Sequence, residues 1–233
     1  MDNNLDLITY LFISEKKIII YVNSEANKKI YKKELIFENL SPEIDFDQLD
    51  YFLIDNIFKI EKISKVFVKK VFLILESKKF FSMDISIKKN NYENSLNFKT
   101  LNHLLYELKD YCKETTEGKK IIHMIIENYL IDKKDYNFFP NNIKCNSFSL
   151  DVNFICLSND LIKNLEEILR KYQISIGRII SADYMRSLFS EKNYDMIKMA
   201  KETIDGCNKN EVMLIPKTRK NMGFFEKFFH FFG

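Results

Sequence analysis

Apolar and polar residues follow two rhythms along this chain, and the switches between them mark its elements. Residues 7–13 (LITYLFI) and 17–22 (KIIIYV) are short apolar runs rich in β-branched and aromatic side chains, which predicts adjacent strands. A third strand is expected at 29–37 (KIYKKELIF), and Ser41-Pro42 begins a turn. The rhythm then changes to a helical one. Asp45 or Asp47 is placed to cap a helix over 48–60, with Leu49, Phe52, Leu53, Ile57 and Ile60 on one face. Residues 63–75 (ISKVFVKKVFLIL) contain a strand, or two joined at Lys69-Lys70. The first stretch therefore reads βββαβ.

A second unit is expected from Lys78. It opens with a strand at 79–88 and a polar loop at 90–95. Thr100 is placed to cap a helix over 101–114, where Leu101, Leu104, Leu105, Leu108, Tyr111 and Cys112 recur at the helical period. Gly118 ends that helix. A strand at 120–130 follows, then a turn-prone loop through Phe139-Pro140-Asn141-Asn142, then an alternating strand at 148–157. Ser158 and Asn159 are candidate caps for a helix over 160–172, with Leu161, Ile162, Leu165, Ile168, Leu169 and Tyr172 facing inward. Residues 176–180 (IGRII) read as a short strand closing this unit as βαββαβ. Beyond Ala182 the pattern weakens to a helix over about 183–203 and a polar connector from Gly206 to Pro216. The expected fold class is α+β, with open mixed sheets and packed helices. The expected divisions are 1–77, 78–182, 183–216 and 217–233.

The last division, Lys217 to Gly233 (KTRKNMGFFEKFFHFFG), has the strongest pattern of all. Set at about 100° per residue, Phe224, Phe225, Phe228, Phe229, Phe231 and Phe232 fall on one arc of about 160°, and Met222 extends its edge. Glu226, Lys227 and His230 lie opposite, and Lys217, Arg219 and Lys220 precede the arc. A broad aromatic face, a narrow polar face and a basic lead-in predict a helix lying in a membrane interface. It is too short to span a bilayer, which takes about 20 apolar residues. The competing expectation is a terminal helix docked on the protein's own core or on a second copy. Such a helix would more often mix Leu, Ile, Val and Ala.

Composition narrows the chemistry. The 233 residues are 46% hydrophobic and 30% charged, enough for a packed core. The net charge of +3 is slight, and the only arginines are Arg170, Arg178, Arg186 and Arg219. Both weigh against a nucleic-acid partner. Cys112, Cys145, Cys156 and Cys207 form no CxxC pair and match no zinc spacing. The acidic MDNNLD start is unlike a signal peptide, and no run of 18 apolar residues exists. These features predict a cytoplasmic protein with reduced thiols. Of the three histidines, His230 is on the tail, His103 heads a helix, and His123 inside an apolar strand reads as a satisfied core residue. Glu166-Glu167 reads as a solvated helix face. The five glycines, Gly118, Gly177, Gly206, Gly223 and Gly233, are isolated. A phosphate cradle needs backbone N–H groups brought close to the ligand, and no Gly-rich loop is present to do it. No catalytic, cofactor-binding or metal-binding residue is assigned, and no cofactor is expected.

Residues 120–182 resemble the bacterial actin-like cell-division protein FtsA. The strand Ile122-His123-Met124-Ile125-Ile126-Glu127-Asn128-Tyr129-Leu130-Ile131-Asp132 is similar to that family's "vlHvIpqeyxiD". Phe139-Pro140-Asn141-Asn142 stands near its "nPxgl" loop. Asn164-Leu165 matches an Asn-hydrophobic pair in the following helix, and Ile179-Ile180-Ser181-Ala182 matches the exit. With the helix at 101–114 this looks like the inserted subdomain 1C, an SHS2-type module. A basic amphipathic C-terminal helix is the family's other hallmark. The resemblance implies a partial actin-like (ribonuclease-H-like) unit 1A over 1–77, the 1C unit over 78–182, a linker and a membrane helix.

The departures concern the nucleotide site. The family's first strand carries "Gly-Leu-Asp-Ile-Gly-Thr-Ser-Lys-Val", whose Asp and Gly serve the phosphates and metal. Here Phe12 stands at the Asp position and Ser14 at the Gly position. The second phosphate loop, expected soon after Ser190, is not found, and the chain is short for subdomains 2A and 2B. The resemblance therefore implies a reduced, non-catalytic peripheral membrane adaptor at the division site, on the cytoplasmic face of the bacterial inner membrane. Its implied contacts are anionic lipid through Met222, Phe224, Phe225, Phe228, Phe229, Phe231, Phe232, Lys217, Arg219, Lys220 and Lys227, self-association, and division proteins through the SHS2 unit. The tubulin-like FtsZ is the uncertain partner, since 2B receives it in the family. A second reading is an FtsA-like cytoplasmic adaptor of a pilus or secretion assembly, which as a rule lacks the terminal helix. A third is an actin-like ATPase, which the glycine count disfavours.

Overall fold

A computed structural model describes residues 7–24, 26, 28–38, 43–92 and 94–213. In chain order the elements are β1 (Leu7–Ile13), β2 (Lys17–Ser24), β3 (Lys29–Ile36), α1 (Phe46–Ser64), β4 (Lys70–Leu75), β5 (Phe80–Asn90), α2 (Phe98–Thr115), β6 (Lys119–Ile131), β7 (Lys134–Tyr136), β8 (Ser147–Ser158), α3 (Asn159–Lys171), β9 (Ser175–Ser181), α4 (Ala182–Leu188) and α5 (Met196–Ile204). The fold class is α+β, as the sequence pattern predicts. The elements form two compact units. Of the described residues, the first holds the chain through Ser82, then Thr115–Ile122 and Ile155–Asp205; the second holds Met83–Glu114, His123–Phe154 and residues 206–213.

The first unit is built on a five-stranded sheet in the order β3-β2-β1-β4-β9. β1, β2 and β3 form an antiparallel meander, and β4 and β9 run parallel to β1. The near-continuous apolar runs of β1 and β4 follow from burial on both faces. Leu11, Ile13, Ile18, Ile20, Leu73 and Leu75 pack with Leu49, Leu53 and Ile60 of α1 and Leu161, Leu165 and Leu169 of α3. Tyr10, Phe12, Ile19, Ile74 and Ile180 pack on the other face with Met185 of α4, with Phe189 and with Ala200 of α5. The sheet is thus the middle layer of three.

Helix α1 begins where Asp45 accepts a 3.0 Å hydrogen bond from the Gln48 N–H, so of the two candidate caps Asp45 is the one used. It ends at Lys65, left-handed at φ 61°, whose N–H donates to the Glu61 carbonyl. The helix is longer than expected, and residues 63 and 64 belong to it rather than to a strand. Gly177 is the extra residue where the β4–β9 register shifts, and a Cβ there would lie 2.7 Å from Lys70 Cδ.

The second unit carries a four-stranded sheet in the order β5-β8-β6-β7. Helix α2 buries Leu101, Leu104, Leu105, Leu108 and Cys112, the predicted stripe apart from Tyr111, which is exposed. Its cap is Asn97, whose side-chain oxygen accepts from the Thr100 N–H at 3.0 Å, so Thr100 receives the cap instead of supplying it. Phe139 is the centre of an aromatic cluster, with Phe98 at 5.2 Å, Tyr129 at 5.9 Å and Phe148 at 6.3 Å between centroids.

Three differences from the sequence reading concern β9, β7 and the segment after β9. β9 does not close the second unit; it pairs with β4, from Lys70–Ser175 to Leu75–Ser181, so α3 and β9 belong to the first unit. The short strand β7 has no counterpart in the sequence pattern. Asp132 (φ 46°) and Lys133 (φ 70°) turn β6 directly into β7 as a two-residue hairpin. The single helix expected over 183–203 is two, α4 and α5, and both pack on the first sheet.

Candidate functional site

Two places bear on function: the turn between β1 and β2, and the β6 edge next to the chain's last described residues. At the first, Phe12 is buried at 3% exposure among Tyr10, Ile19, Ile74, Ile180 and Met185. It occupies the position where the resemblance implies a carboxylate. Two residues on, Ser14 is also buried. Its Oγ accepts from the Lys16 N–H at 3.2 Å and the Lys17 N–H at 3.0 Å, and donates to the Lys17 carbonyl at 3.1 Å. The Ser14 N–H donates to the same carbonyl. A phosphate loop works by leaving backbone N–H groups open toward an anion. Here the turn's own serine takes up the Lys16 and Lys17 N–H groups.

The second place lies within the second unit. Past α5 the chain reaches residues 210–212 and pairs with β6 as an added antiparallel segment. Ile125 and Glu211 form the bridge; the Ile126 N–H donates to the Asn210 carbonyl at 2.9 Å and the Val212 N–H to the Met124 carbonyl at 2.8 Å. The same pairing brings Glu211 against His123 of β6. His123 Nδ1 and Glu211 Oε1 are 2.7 Å apart, with side-chain exposures of 0% and 5%. A carboxylate this deep is tolerable because it is paired. His123 is a satisfied core residue, as expected. Its partner is not visible in the sequence, because Gly206–Pro216 reads by composition as a polar connector.

Elsewhere in the second unit Glu127 of β6 has its carboxyl pushed up, first by burial and then by the charges of Asp84 on β5 and Asp151 on β8. Asp84 also accepts a hydrogen bond from Asn153. Among the described residues no group of His, Cys, Asp and Glu is placed to hold a metal ion, and no helix is long and apolar enough to cross a membrane. Cys112, Cys145 and Cys156 are buried free thiols, and Cys207 is an exposed one. β5 is an outer strand of its sheet, with Ser82, Asp84, Ser86 and Lys88 exposed along it. The residues expected to touch lipid, Lys217, Arg219, Lys220, Met222, Phe224, Phe225, Lys227, Phe228, Phe229, Phe231 and Phe232, lie outside the described residues.

No protein-family model matches the sequence, and no curated protein matches it. Among solved structures it is similar to a PilM–PilN type IV pilus biogenesis complex, with 9% identity and a TM-score of 0.44 over 79% of this chain and 50% of that one. It is also similar to a Bacteroides thetaiotaomicron protein with an actin-like ATPase fold and unknown function, with 14% identity and a TM-score of 0.35 over 82% of this chain and 59% of that one. This chain thus spans between half and three-fifths of the length of these two structures.

Proposed function

We propose that the protein is a non-catalytic peripheral membrane adaptor of the FtsA-like kind, held by its C-terminal segment on the cytoplasmic face of the bacterial inner membrane at the division site. Its second unit takes protein partners. The observation that carries this reading is the pairing of residues 210–212 with β6. The aromatic, basic tail begins a few residues after a segment hydrogen-bonded to the second sheet, so membrane attachment is transmitted to that sheet rather than to a loose linker. Among the described residues β5 is an outer strand of its sheet, an edge to which a partner strand can add.

The test is a fluorescent fusion of the full chain in a bacterial cell. Phe225→Glu combined with Phe228→Glu should move it from the membrane to the cytoplasm. Retention of the double variant on the membrane refutes lipid anchoring by the tail. Affinity capture from cross-linked cells should then recover division proteins with the native chain. Recovery of pilus or secretion components instead selects the other adaptor reading.

A further inference from the structure

Strand β5 runs for 11 residues along the outside of the second sheet, where a typical strand has about five or six. Natural edges of that length are usually blunted by proline, a bulge or scattered charge. β5 holds no proline, and the charges at its centre are ordered: Asp84 comes first and Lys88 four residues later. Asp84, Ser86 and Lys88 are exposed on one face, while Met83, Ile85 and Ile87 alternate with them and are half-buried. An added strand would finish burying that apolar row. Lys89 is already paired with Glu107 of α2 at 2.9 Å, whereas Lys88 has no ion pair among the described residues. Asp84 stands in a negative field, because its charge and that of Asp151 both reach Glu127.

We propose that β5 pairs antiparallel with β5 of a second copy of the chain, about a twofold axis through Ser86. The inference rests on the reading of β5 as the partner edge and names the partner. Directly opposite residues of antiparallel strands share a face, so the axis passes through a residue. At Ser86 it sets Asp84 opposite the second copy's Lys88, and Lys88 opposite its Asp84. On the other face it lays Ile85 on Ile87 twice, a pairing of β-branched side chains that favours strand association. Lys89 falls opposite Met83, so no like charges are opposed. An axis at Asp84 or Lys88 would oppose two like charges, and one at Ile85 or Ile87 would leave Asp84 and Lys88 unmatched. A parallel in-register pair would set Asp84 on Asp84. Backbone pairing, the apolar row and the charges thus agree on one register. A twofold arrangement is closed and yields a dimer. The paired stretch is short, so the dimer is a weak one.

Cross-linking of the purified full chain tests this. In a Cys207→Ser background, which removes the exposed thiol, Ser86→Cys should give covalent dimers with a short bis-maleimide, because the two introduced thiols meet at the axis. Asn90→Cys is exposed on the same face of the strand, but its two copies would stand about 25–27 Å apart, beyond such a linker. The yield from Ser86→Cys should exceed that from Asn90→Cys roughly tenfold, as expected when pairing holds two thiols close. Adding Asp84→Lys should cut the yield several-fold, and adding Lys88→Asp to that chain should restore it; the restoration excludes misfolding as the cause. Equal yields from Ser86→Cys and Asn90→Cys overturn the proposal, as does a charge exchange that fails to restore the yield. No membrane or division protein is present, so failure here is distinct from failure of the adaptor reading. In cells, a Ser86→Cys chain that cross-links to a different protein and not to a second copy overturns the dimer while keeping β5 as the adaptor's edge.

Discussion

Phe12 and Ser14 occupy positions where the family resemblance places a carboxylate and a glycine, and both are used for packing and for closing a turn. An apolar ring cannot replace a group that orders a metal and its waters. Titration calorimetry with Mg-ATP should therefore show no micromolar binding, and a clear micromolar isotherm would refute the non-catalytic reading. Asp50 supplies a second prediction. Its carboxylate accepts from Lys171 and from the Tyr172 hydroxyl at 2.7 Å, and these bonds hold it below the usual carboxylate range. A depressed carboxylate contributes stability above its unfolded pKa and loses it as pH falls through the folded value. Asp50→Asn should thus lower stability at neutral pH and converge with the native chain in strong acid, by urea denaturation across the acidic range. The pair is partly solvated, so the effect is modest.

At the scale of elements, the pairing of residues 210–212 with β6 includes backbone hydrogen bonds and the buried His123–Glu211 contact. Removing one partner of a buried hydrogen bond costs about 1–3 kcal/mol, because the other polar group is left unsatisfied. His123→Ala should approach that range in chemical denaturation and free the 210–212 amides to hydrogen exchange. Glu211→Gln keeps a hydrogen-bonding group and should cost clearly less. Equal, small losses for both would mean the pair contributes little and the segment is held by its backbone alone. Local signals explain which elements were legible. The stripe of α2 and the face of α3 are visible because a helix buries residues at a fixed period within one segment. The Asp132-Lys133 turn is hidden because neither residue is the glycine that usually marks such a hairpin. Thr100 and Asn97 are both ordinary caps three positions apart, so pattern alone does not choose between them.

For the whole molecule, the proposed anchoring makes membrane affinity a sum over the tail. Full burial of a Phe side chain contributes about 1.5–3 kcal/mol, and an interfacial helix achieves roughly half of it. Six Phe then supply several kcal/mol, before the cost of forming the helix. Each Lys or Arg near anionic lipid adds about 1 kcal/mol and is screened by salt. Neutralising Lys217, Arg219 and Lys220 should weaken vesicle binding without abolishing it. That loss should shrink at high salt, where the native charges already contribute less. Complete loss at low salt would make the interaction electrostatic and not aromatic.

The sequence by itself determined the α+β class and most of the secondary elements, because periodicity is an interaction among near neighbours; β7 and the break between α4 and α5 were not among them. Tertiary structure alone decided the pairings. β9 shares its apolar run with any buried strand, and only the parallel register with β4 assigns it to the first sheet. His123 finds Glu211 across 88 positions of sequence. Strand segments carry no local mark of their partner, since the hydrogen-bonding groups of every backbone are the same. The choice is made by which faces can be buried together, and that is a property of the folded chain.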